Sequence, residues 1–211
     1  MSNPSRARGN TELAAKRMFD LVSSALALVV LSPLLLCLAA GVKLTSPGPV
    51  FYRGVRTGLH GRPFRILKFR TMIVNAAEMG GPSTGQDDPR VTRFGAVLRR
   101  FKLDELPNLV CVLVGQMSIV GPRPEVPRYT SLYTGDEKLI LTMKPGITDL
   151  SSLQFIDLAS HIGADNIDAN FESRVLPIKN RLRVQYVREW SFWTDMKIIG
   201  RTLAKLFGNS R

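Results

Sequence analysis

The chain has 211 residues, 45% of them apolar, and a formal net charge of +12 from 29 basic and 17 acidic side chains. This length predicts one domain with appendages, and the apolar content excludes a wholly disordered chain. The positive charge favours an anionic partner such as a phosphorylated metabolite, anionic lipid or nucleic acid, although it also serves solubility. The sequence contains no Walker A or G-x-G-x-x-G motif and no zinc-ligand spacing, which argues against the sites that those motifs build.

An uncharged apolar segment, residues 21–42, follows an N-terminus, residues 1–15, that we expect to be mobile. As a helix, at about 1.5 Å per residue, the segment is long enough to span a bilayer. Ser32-Pro33 near its middle predicts a break, because proline lacks an N–H and its ring clashes with the preceding turn. The Ser32 hydroxyl can satisfy a carbonyl that this break frees inside lipid.

Basic residues flank the apolar segment on both sides, before it at Lys16 and Arg17 and after it at Lys43 and Arg53. Positive charge favours the cytoplasmic face, so both flanks favour the same face. We therefore expect a re-entrant helix–break–helix over residues 16–44, and a single spanning helix is the alternative. Asp20 lies three residues after Arg17, a spacing that allows the two side chains to pair at the interface. Membrane lipid is thus an expected partner.

The remainder of the chain predicts a cytosolic domain over residues 45–189. Its patterns predict short strands at 50–53 and 64–70, a hairpin connection at 58–63, a loop at 80–90, and helices at 91–100, 104–114 and 166–187. The expected fold class is α+β and mostly helical. It combines a re-entrant membrane helix–break–helix with a small cytosolic domain of short strands and amphipathic interfacial helices.

Residues 190–211 predict a C-terminal amphipathic helix. Apolar residues recur there at helical spacing, and Lys197, Arg201 and Lys205 follow one another at four-residue steps. A basic, aromatic-rich helix of this kind lies on an anionic membrane surface. The alternative is a helix that packs on its own domain.

Asp104-Glu105 is the first candidate for chemistry. Adjacent carboxylates on a helix diverge by about 100°, so they can take separate roles, one attacking and one binding a metal or a proton. A carboxylate that attacks a phosphoryl group needs cations to offset the charge repulsion, and Arg99, Arg100 and Lys102 are near in sequence. The alternative is an ordinary helix N-terminus with surface ion pairs.

Arg123 is the second candidate, because it stands between two prolines that restrict how it is presented. Its guanidinium suits phosphate oxygens, although a structural arginine in a turn fits the pattern equally well. Lys68, Arg70 and Lys144 are further candidate phosphate-binding cations, each of which can also be a solvated surface charge.

Taken together, the motifs resemble those of the bacterial sugar transferases that are small monotopic phosphoglycosyl transferases. The matching segments cover residues 16–200 and are Lys16-Arg17-x-x-Asp20, Ser32-Pro33, Ser46-Pro47-Gly48-Pro49-Val50-Phe51, Lys68-Phe69-Arg70-Thr71-Met72, Asp88-Pro89-Arg90-Val91-Thr92, Leu103-Asp104-Glu105-Leu106-Pro107-Asn108, Met117-Ser118-x-Val120-Gly121-Pro122-Arg123-Pro124-Glu125, Lys144-Pro145-Gly146-Ile147-Thr148 and Tyr186-Val187-x-x-x-Ser191-Phe192-x-x-Asp195.

The resemblance implies an enzyme on the cytoplasmic face of a bacterial inner membrane. Its donor is a UDP-sugar and its acceptor a polyprenyl phosphate, and it starts glycoconjugate or exopolysaccharide synthesis. By the same resemblance Asp104 attacks the donor, releases UMP and carries a covalent phosphosugar. Glu105 is the partner carboxylate with Mg²⁺ at the site, and Arg99 and Arg123 handle donor phosphate or nucleotide. The re-entrant helix of the family agrees with the break expected at Ser32-Pro33.

The net charge and the apolar segment, considered alone, allow two further functions. One is a non-enzymatic basic adaptor on a membrane surface. The other is a nucleic-acid-binding protein, which we do not expect because the chain has no recognisable binding motif and because this function leaves the apolar segment unexplained. The identity of the sugar and the existence of a homo-oligomer stay open. Asp149 stands where the family commonly has glycine, a departure that bears on the sugar and not on the reaction.

Overall fold

The computed structural model describes residues 10–76, 78–80, 88–155 and 167–208. Over these residues the protein is mostly helical with a few short strands, which confirms the α+β class. Most of the N-terminal segment expected to be mobile, and most of the loop predicted at 80–90, lie outside the described residues.

The helices and strands follow one another along the chain with short connections. The α-helices are α1 Asn10–Val30, α2 Ser32–Thr45, α3 Arg93–Arg100, α4 Asn108–Leu113, α5 Pro127–Thr130, α6 Leu150–Gln154, α7 Ile167–Asn170, α8 Leu176–Glu189 and α9 Phe192–Gly208. The strands are β1 Phe51–Tyr52, β2 Val55–Thr57, β3 Pro63–Arg65, β4 Lys68–Phe69, β5 Ser118–Val120 and β6 Gly146–Thr148. Short 3₁₀-helices lie at Leu59–Gly61, Leu103–Glu105 and Gly135–Thr142, and a π-helical segment lies at Phe171–Val175.

The apolar segment folds as two helices with a bend of 64° between them. The break lies at Ser32-Pro33 as predicted, and the Ser32 hydroxyl donates to the Val29 carbonyl oxygen at 2.7 Å. Neither helix by itself has the length and apolarity to cross a membrane, whereas the bent pair together does, by length and composition, within the described ranges. Residues 10–15, which we expected to be mobile, form the first turns of α1, where Glu12 suits the helix dipole.

Helix α1 is joined to the rest of the structure by three polar side chains. Lys16 donates to the Val120 carbonyl oxygen at 2.8 Å and to Asp195 at 2.5 Å. The expected pairing of Arg17 with Asp20 is wrong, because each finds a backbone partner instead. Arg17 donates to the two carbonyl groups of residues 112 and 113 at the end of α4, where a helix leaves carbonyls without partners. Asp20 accepts from the backbone N–H of residue 119.

The predicted strands and the hairpin between them are confirmed, with one interruption. The run predicted as one strand at 64–70 divides into β3 and β4, which belong to separate two-stranded sheets. Strand β4 pairs antiparallel with β1, and β3 pairs with β2, a strand that the sequence did not indicate. The hairpin connection between β2 and β3 lies where it was predicted. Both pairs keep one register, and Ile66 donates its N–H to the Gly54 carbonyl oxygen as the next rung after β2–β3. The interruption follows at Leu67, whose N–H donates to the Asn108 side chain at 3.1 Å instead.

A parallel pair, β5 and β6, lies at the centre of the domain. Val120 at the end of β5 packs in one hydrophobic cluster with Tyr186 of α8 and Ile198 of α9, each at most 1% exposed. Helix α9 therefore packs on its own domain through one face. Its Trp193 is 74% exposed and Leu203 is 49% exposed, so the helix also presents an apolar face outward.

The contact between Lys16 and Asp195 leads to a stability prediction. In Lys16→Met the buried carboxylate of Asp195 keeps only the neutral donors Tyr186 and Trp190. We expect the free energy of unfolding to fall by about 3 kcal/mol, because an uncompensated buried charge remains. Urea unfolding in detergent measures this loss. Lys197→Met on the exposed side of α9 is the control, and an equal effect of both substitutions contradicts the prediction.

Candidate active site

Asp104 and Glu105 lie in the single tight turn Leu103–Glu105, and α4 begins three residues after Glu105. The predicted continuous helix over 104–114 is therefore wrong at its start. Pro107 has no N–H with which to continue the hydrogen-bond series, so the chain makes i to i+3 contacts before α4 forms. Lys102 just before the turn adopts a left-handed conformation, with φ of 56°. The predicted end of α4 at Gly115 is confirmed, with φ of 86°.

Glu105 is the centre of a three-residue ion cluster. Lys68 on β4 donates to its Oε1 at 2.6 Å, and the Arg123 guanidinium donates to the same oxygen. Burial opposes ionisation of this carboxyl, but Arg123 and Lys68 more than offset it and hold the pKa of Glu105 well below its usual range. Glu105 is thus a permanent anion that holds two cations in place.

Asp104 has the opposite environment although it is the neighbouring residue. Its side chain is buried, and no residue that the structure describes donates a hydrogen bond to it. Burial and then the Glu105 carboxylate raise the pKa of Asp104, against the attraction of Lys68, Arg99 and Arg123. A desolvated carboxylate without donors is more reactive toward an electrophile than a hydrated one, because it does not first shed hydrogen bonds.

The other predicted cations divide between the cluster and two remote positions. Arg99 in the last turn of α3 donates to Thr71 at 2.9 Å and attracts Asp104, while burial lowers its pKa. Arg70 instead donates to Ser46 in the turn after α2. Lys144 lies near Arg17, which together with burial lowers the pKa of Lys144. The structure therefore brings Lys68, Arg99 and Arg123 to the carboxylates and leaves Arg70 and Lys144 elsewhere.

A buried network of hydrogen bonds and ion pairs positions Arg123, and the sequence did not reveal it. Its backbone N–H donates to Asp149 at 3.1 Å, and its guanidinium also donates to the Ile147 carbonyl oxygen. Asp149 in turn lies 3.6 Å from Arg183 of α8, whose side chain is fully buried and also donates to Glu125 at 2.7 Å. The departure from glycine at Asp149 was the one available signal. No local sequence pattern indicates that Arg183, 34 residues away on a helix, is a partner of Asp149.

A cleft opens beside the carboxylates. It is lined by residues from separate parts of the chain, namely Arg56, Ile66, Lys68, Asn108, Met117, Arg123, Pro124, Glu125, Val126, Tyr129, Gly146, Ile147, Phe171 and Lys179. Lys68 and Arg123 therefore face both Glu105 and the cleft. Sequence reasoning missed Lys179 and Arg56, because a lysine on a helix or an arginine on a short strand has the pattern of a solvated surface charge.

The two carboxylates fit the coordination habits of Mg²⁺. This ion usually binds one or two carboxylates and completes its shell with water and substrate phosphates. Asp104 lacks a donor among the described residues, and burial together with the Glu105 carboxylate raises its pKa, so a bound cation favours its ionised form. No group of three or more carboxylate, histidine or cysteine side chains suited to a metal forms within the described part of the chain. Asp104 and Glu105 therefore suit a metal ion that binds together with the phosphates of the substrate.

The contrast between the two carboxylates predicts opposite effects on stability. At pH 7 to 8, we expect Asp104→Asn to raise the free energy of unfolding by about 1 kcal/mol, because it removes a poorly compensated charge. Glu105→Gln should lower it by about 3 kcal/mol, because two cations lose their partner. Urea unfolding in detergent measures both.

The pH dependence of the free energy of unfolding tests the roles of Asp104 and Glu105 in a second way. The folded-state pKa of Asp104 lies above its unfolded value, so the gain in Asp104→Asn is complete above that raised pKa, shrinks as pH falls from it toward the ordinary carboxyl pKa, and is gone below that value. The folded-state pKa of Glu105 is depressed, so its contribution survives until pH falls below that range. Equal losses in both variants contradict the division of roles.

Comparison with known proteins places this site in a family. The family model described as bacterial sugar transferase matches residues 11–209. A UDP-glucose:undecaprenyl-phosphate glucose-1-phosphate transferase of Escherichia coli is 41% identical over 92% of this chain, which covers 40% of that protein. A protein of the same name from Caulobacter vibrioides is 37% identical over 90% of this chain and 69% of its own length.

The exopolysaccharide production protein ExoY of Rhizobium meliloti is 36% identical over 90% of this chain and 84% of its own length. The chain thus spans about two fifths of the Escherichia coli relative and most of ExoY. The family match extends over α1, α2, the ion cluster and α9. The chain belongs to the bacterial sugar transferase family.

Proposed function

We propose that the protein transfers a sugar 1-phosphate from a UDP-sugar to a polyprenyl phosphate at a membrane surface. The observation that carries this proposal is the buried Asp104 carboxylate, which has no hydrogen-bond donor among the described residues and lies among Lys68, Arg99 and Arg123. Relatives named for UDP-glucose and undecaprenyl phosphate support the donor and acceptor classes and make UDP-glucose the first donor to test.

The chemistry proceeds in two displacements at one phosphorus atom. A carboxylate oxygen of Asp104 attacks the β-phosphorus of the donor, and the bond from that phosphorus to the bridging oxygen breaks. UMP leaves with the electron pair, and the sugar 1-phosphate stays on Asp104 as an acyl phosphate. A phosphate oxygen of the lipid then attacks the same phosphorus, breaks its bond to Asp104 and forms the polyprenyl diphosphate sugar.

The surrounding side chains have separate tasks in this scheme. Lys68 and Arg123 offset negative charge on the phosphate oxygens while Glu105 holds both of them in position. Arg99 attracts the Asp104 carboxylate and faces the same phosphate. Asp104 and Glu105 would hold Mg²⁺, which when bound supplies positive charge to the phosphate oxygens.

The membrane association that we propose rests on the outward faces of α1 and α2. Apolar side chains there are largely exposed, among them Val22 at 59%, Val29 at 72% and Leu36 at 71%. Exposed apolar area on this scale is typical of contact with lipid or with another protein. The helix pair enters the cytoplasmic leaflet and returns to the same face of a bacterial inner membrane, and the outward face of α9 lies on that surface.

Replacing the proposed nucleophile tests the reaction. We expect the purified protein in detergent to release UMP from UDP-glucose, or another UDP-sugar, with polyprenyl phosphate and Mg²⁺. Asp104→Asn should reduce this rate about a thousandfold or more, because an amide does not form the acyl phosphate. Asp136→Asn, which changes an exposed carboxylate, is the matched control and should retain the rate.

Omitting the acceptor isolates the first displacement. Mass spectrometry of the donor-loaded protein should then find a sugar phosphate on Asp104. Retention of turnover by Asp104→Asn removes Asp104 as the nucleophile. Absence of UMP release with every UDP-sugar, together with salt-sensitive binding to anionic vesicles, favours the adaptor instead.

Thiol labelling tests the re-entrant arrangement. In a Cys37→Ala background, Thr11→Cys and Thr45→Cys place single exposed thiols before α1's apolar stretch and at the end of α2. A membrane-impermeant reagent should label both in inverted membrane vesicles and neither in intact spheroplasts, because both ends lie on the cytoplasmic face. Labelling of one position from each side indicates a spanning helix instead.

A further inference from the structure

Lys179 of α8 is a buried cation in the same cleft as Lys68 and Arg123. Its side chain lines the cleft although the residue is only 6% exposed. No hydrogen bond or ion pair to its ammonium is found among the described residues. Its nearest favourable contacts are the faces of Phe171 and Phe155, with ring centroids 5.1 and 5.8 Å from Nζ.

Such a position is costly unless a ligand compensates it. Burying an ammonium without a counter-ion is unfavourable, and two aromatic faces offset only part of that loss. Burial accordingly lowers the pKa of Lys179 to about 8. A group of this kind binds an anion strongly, because the anion meets a charge that has already left water.

The neighbouring charges do not satisfy Lys179. Glu125 attracts it, but that carboxylate already accepts from Arg183 at 2.7 Å. Arg183 and Arg123 repel it, and Asp149 attracts it while accepting from the Arg123 backbone. The cleft as a whole is cationic, since one carboxylate, Glu125, stands against four cations, Arg56, Lys68, Arg123 and Lys179.

We propose that Lys179 binds the phosphate of the nucleoside monophosphate that leaves in the first displacement, an inference that rests on the proposed function. Lys68 and Arg123 contact Glu105 and also line the cleft, so a diphosphate whose reacting phosphorus lies at Asp104 extends past them into the cleft. Its second phosphate then approaches Lys179. This phosphate gains negative charge as the bond to the reacting phosphorus breaks, so a cation here favours departure of the nucleotide.

Binding of UMP and of uridine separates a phosphate contact from a base contact. By titration calorimetry on the full chain in detergent at pH 7.5, the unchanged protein should bind UMP more tightly than uridine. Lys179→Met should weaken UMP binding about tenfold or more, as expected for loss of a charged hydrogen bond, and leave uridine binding unchanged. Methionine keeps the contact with the aromatic rings, and Lys179→Arg should retain most of the affinity.

The matched control is Lys138→Met, which removes one exposed positive charge outside the cleft. It should bind UMP as the unchanged protein does. Unaltered UMP binding in Lys179→Met overturns the proposal. Equal loss of UMP and uridine binding in that variant also overturns it, because it indicates that the substitution disturbs cleft packing and not a phosphate contact.

The pH dependence of the affinity for UMP distinguishes a phosphate contact of Lys179 from a purely structural role. The second ionisation of a phosphate monoester, near pH 6, is complete by pH 7.5. Between pH 7.5 and 9.5 the affinity for UMP should fall in the unchanged protein as Lys179 loses its proton. Arginine stays charged throughout, so the fall should be shallower in Lys179→Arg. Identical slopes in the two proteins overturn the proposal.

These measurements are independent of turnover. If the protein releases no UMP from any UDP-sugar, the proposed function fails, yet the comparison of UMP with uridine still reports whether Lys179 binds phosphate. If turnover is normal and UMP binding is indifferent to Lys179, the proposed function stands and this inference alone is rejected.

Discussion

The buried charge of Glu105 is the constraint on which the candidate site depends. Three separate segments meet there, because Lys68 on β4 and Arg123 after β5 both donate to one oxygen of Glu105. Removing any one of the three leaves buried charge uncompensated, so the arrangement holds the segments together as a unit. It also separates two neighbouring carboxylates into different roles. Glu105 accepts from Lys68 and Arg123, whereas Asp104, which those cations also attract, is left without a donor in the part of the chain described here.

The same rigid unit is joined directly to the helix that carries the apolar face. Lys16 contacts the backbone at Val120, three residues before Arg123, and Arg17 caps the end of α4, which follows Glu105. The N-terminal half of the bent helix pair therefore supports both sides of the ion cluster. In the proposed reaction at a membrane surface, the same few hydrogen bonds would fix the position of the site relative to the apolar faces of the bent pair.

Much of the local structure could be predicted, and the reasons differ from element to element. The bend at Ser32-Pro33 follows from the covalent chemistry of proline, which acts whatever surrounds it. The end of α4 at Gly115 follows from a backbone angle that glycine tolerates. The hairpin over 50–70 was predictable because alternation and turn residues are local, whereas its interruption at Leu67 depends on Asn108, a residue distant in the chain.

The sequence by itself determined the uncharged, apolar character of residues 21–42, the break within them, and which residues were candidates for phosphate chemistry. It could do so because apolar length, proline geometry and side-chain charge are properties of the residues themselves. Only the tertiary structure decided that Lys68 joins Glu105 while Arg70 turns to Ser46, and that Lys179 lies buried in the cleft. Partner choice and burial depend on residues distant in the chain, and these meet only once the helices and strands have packed.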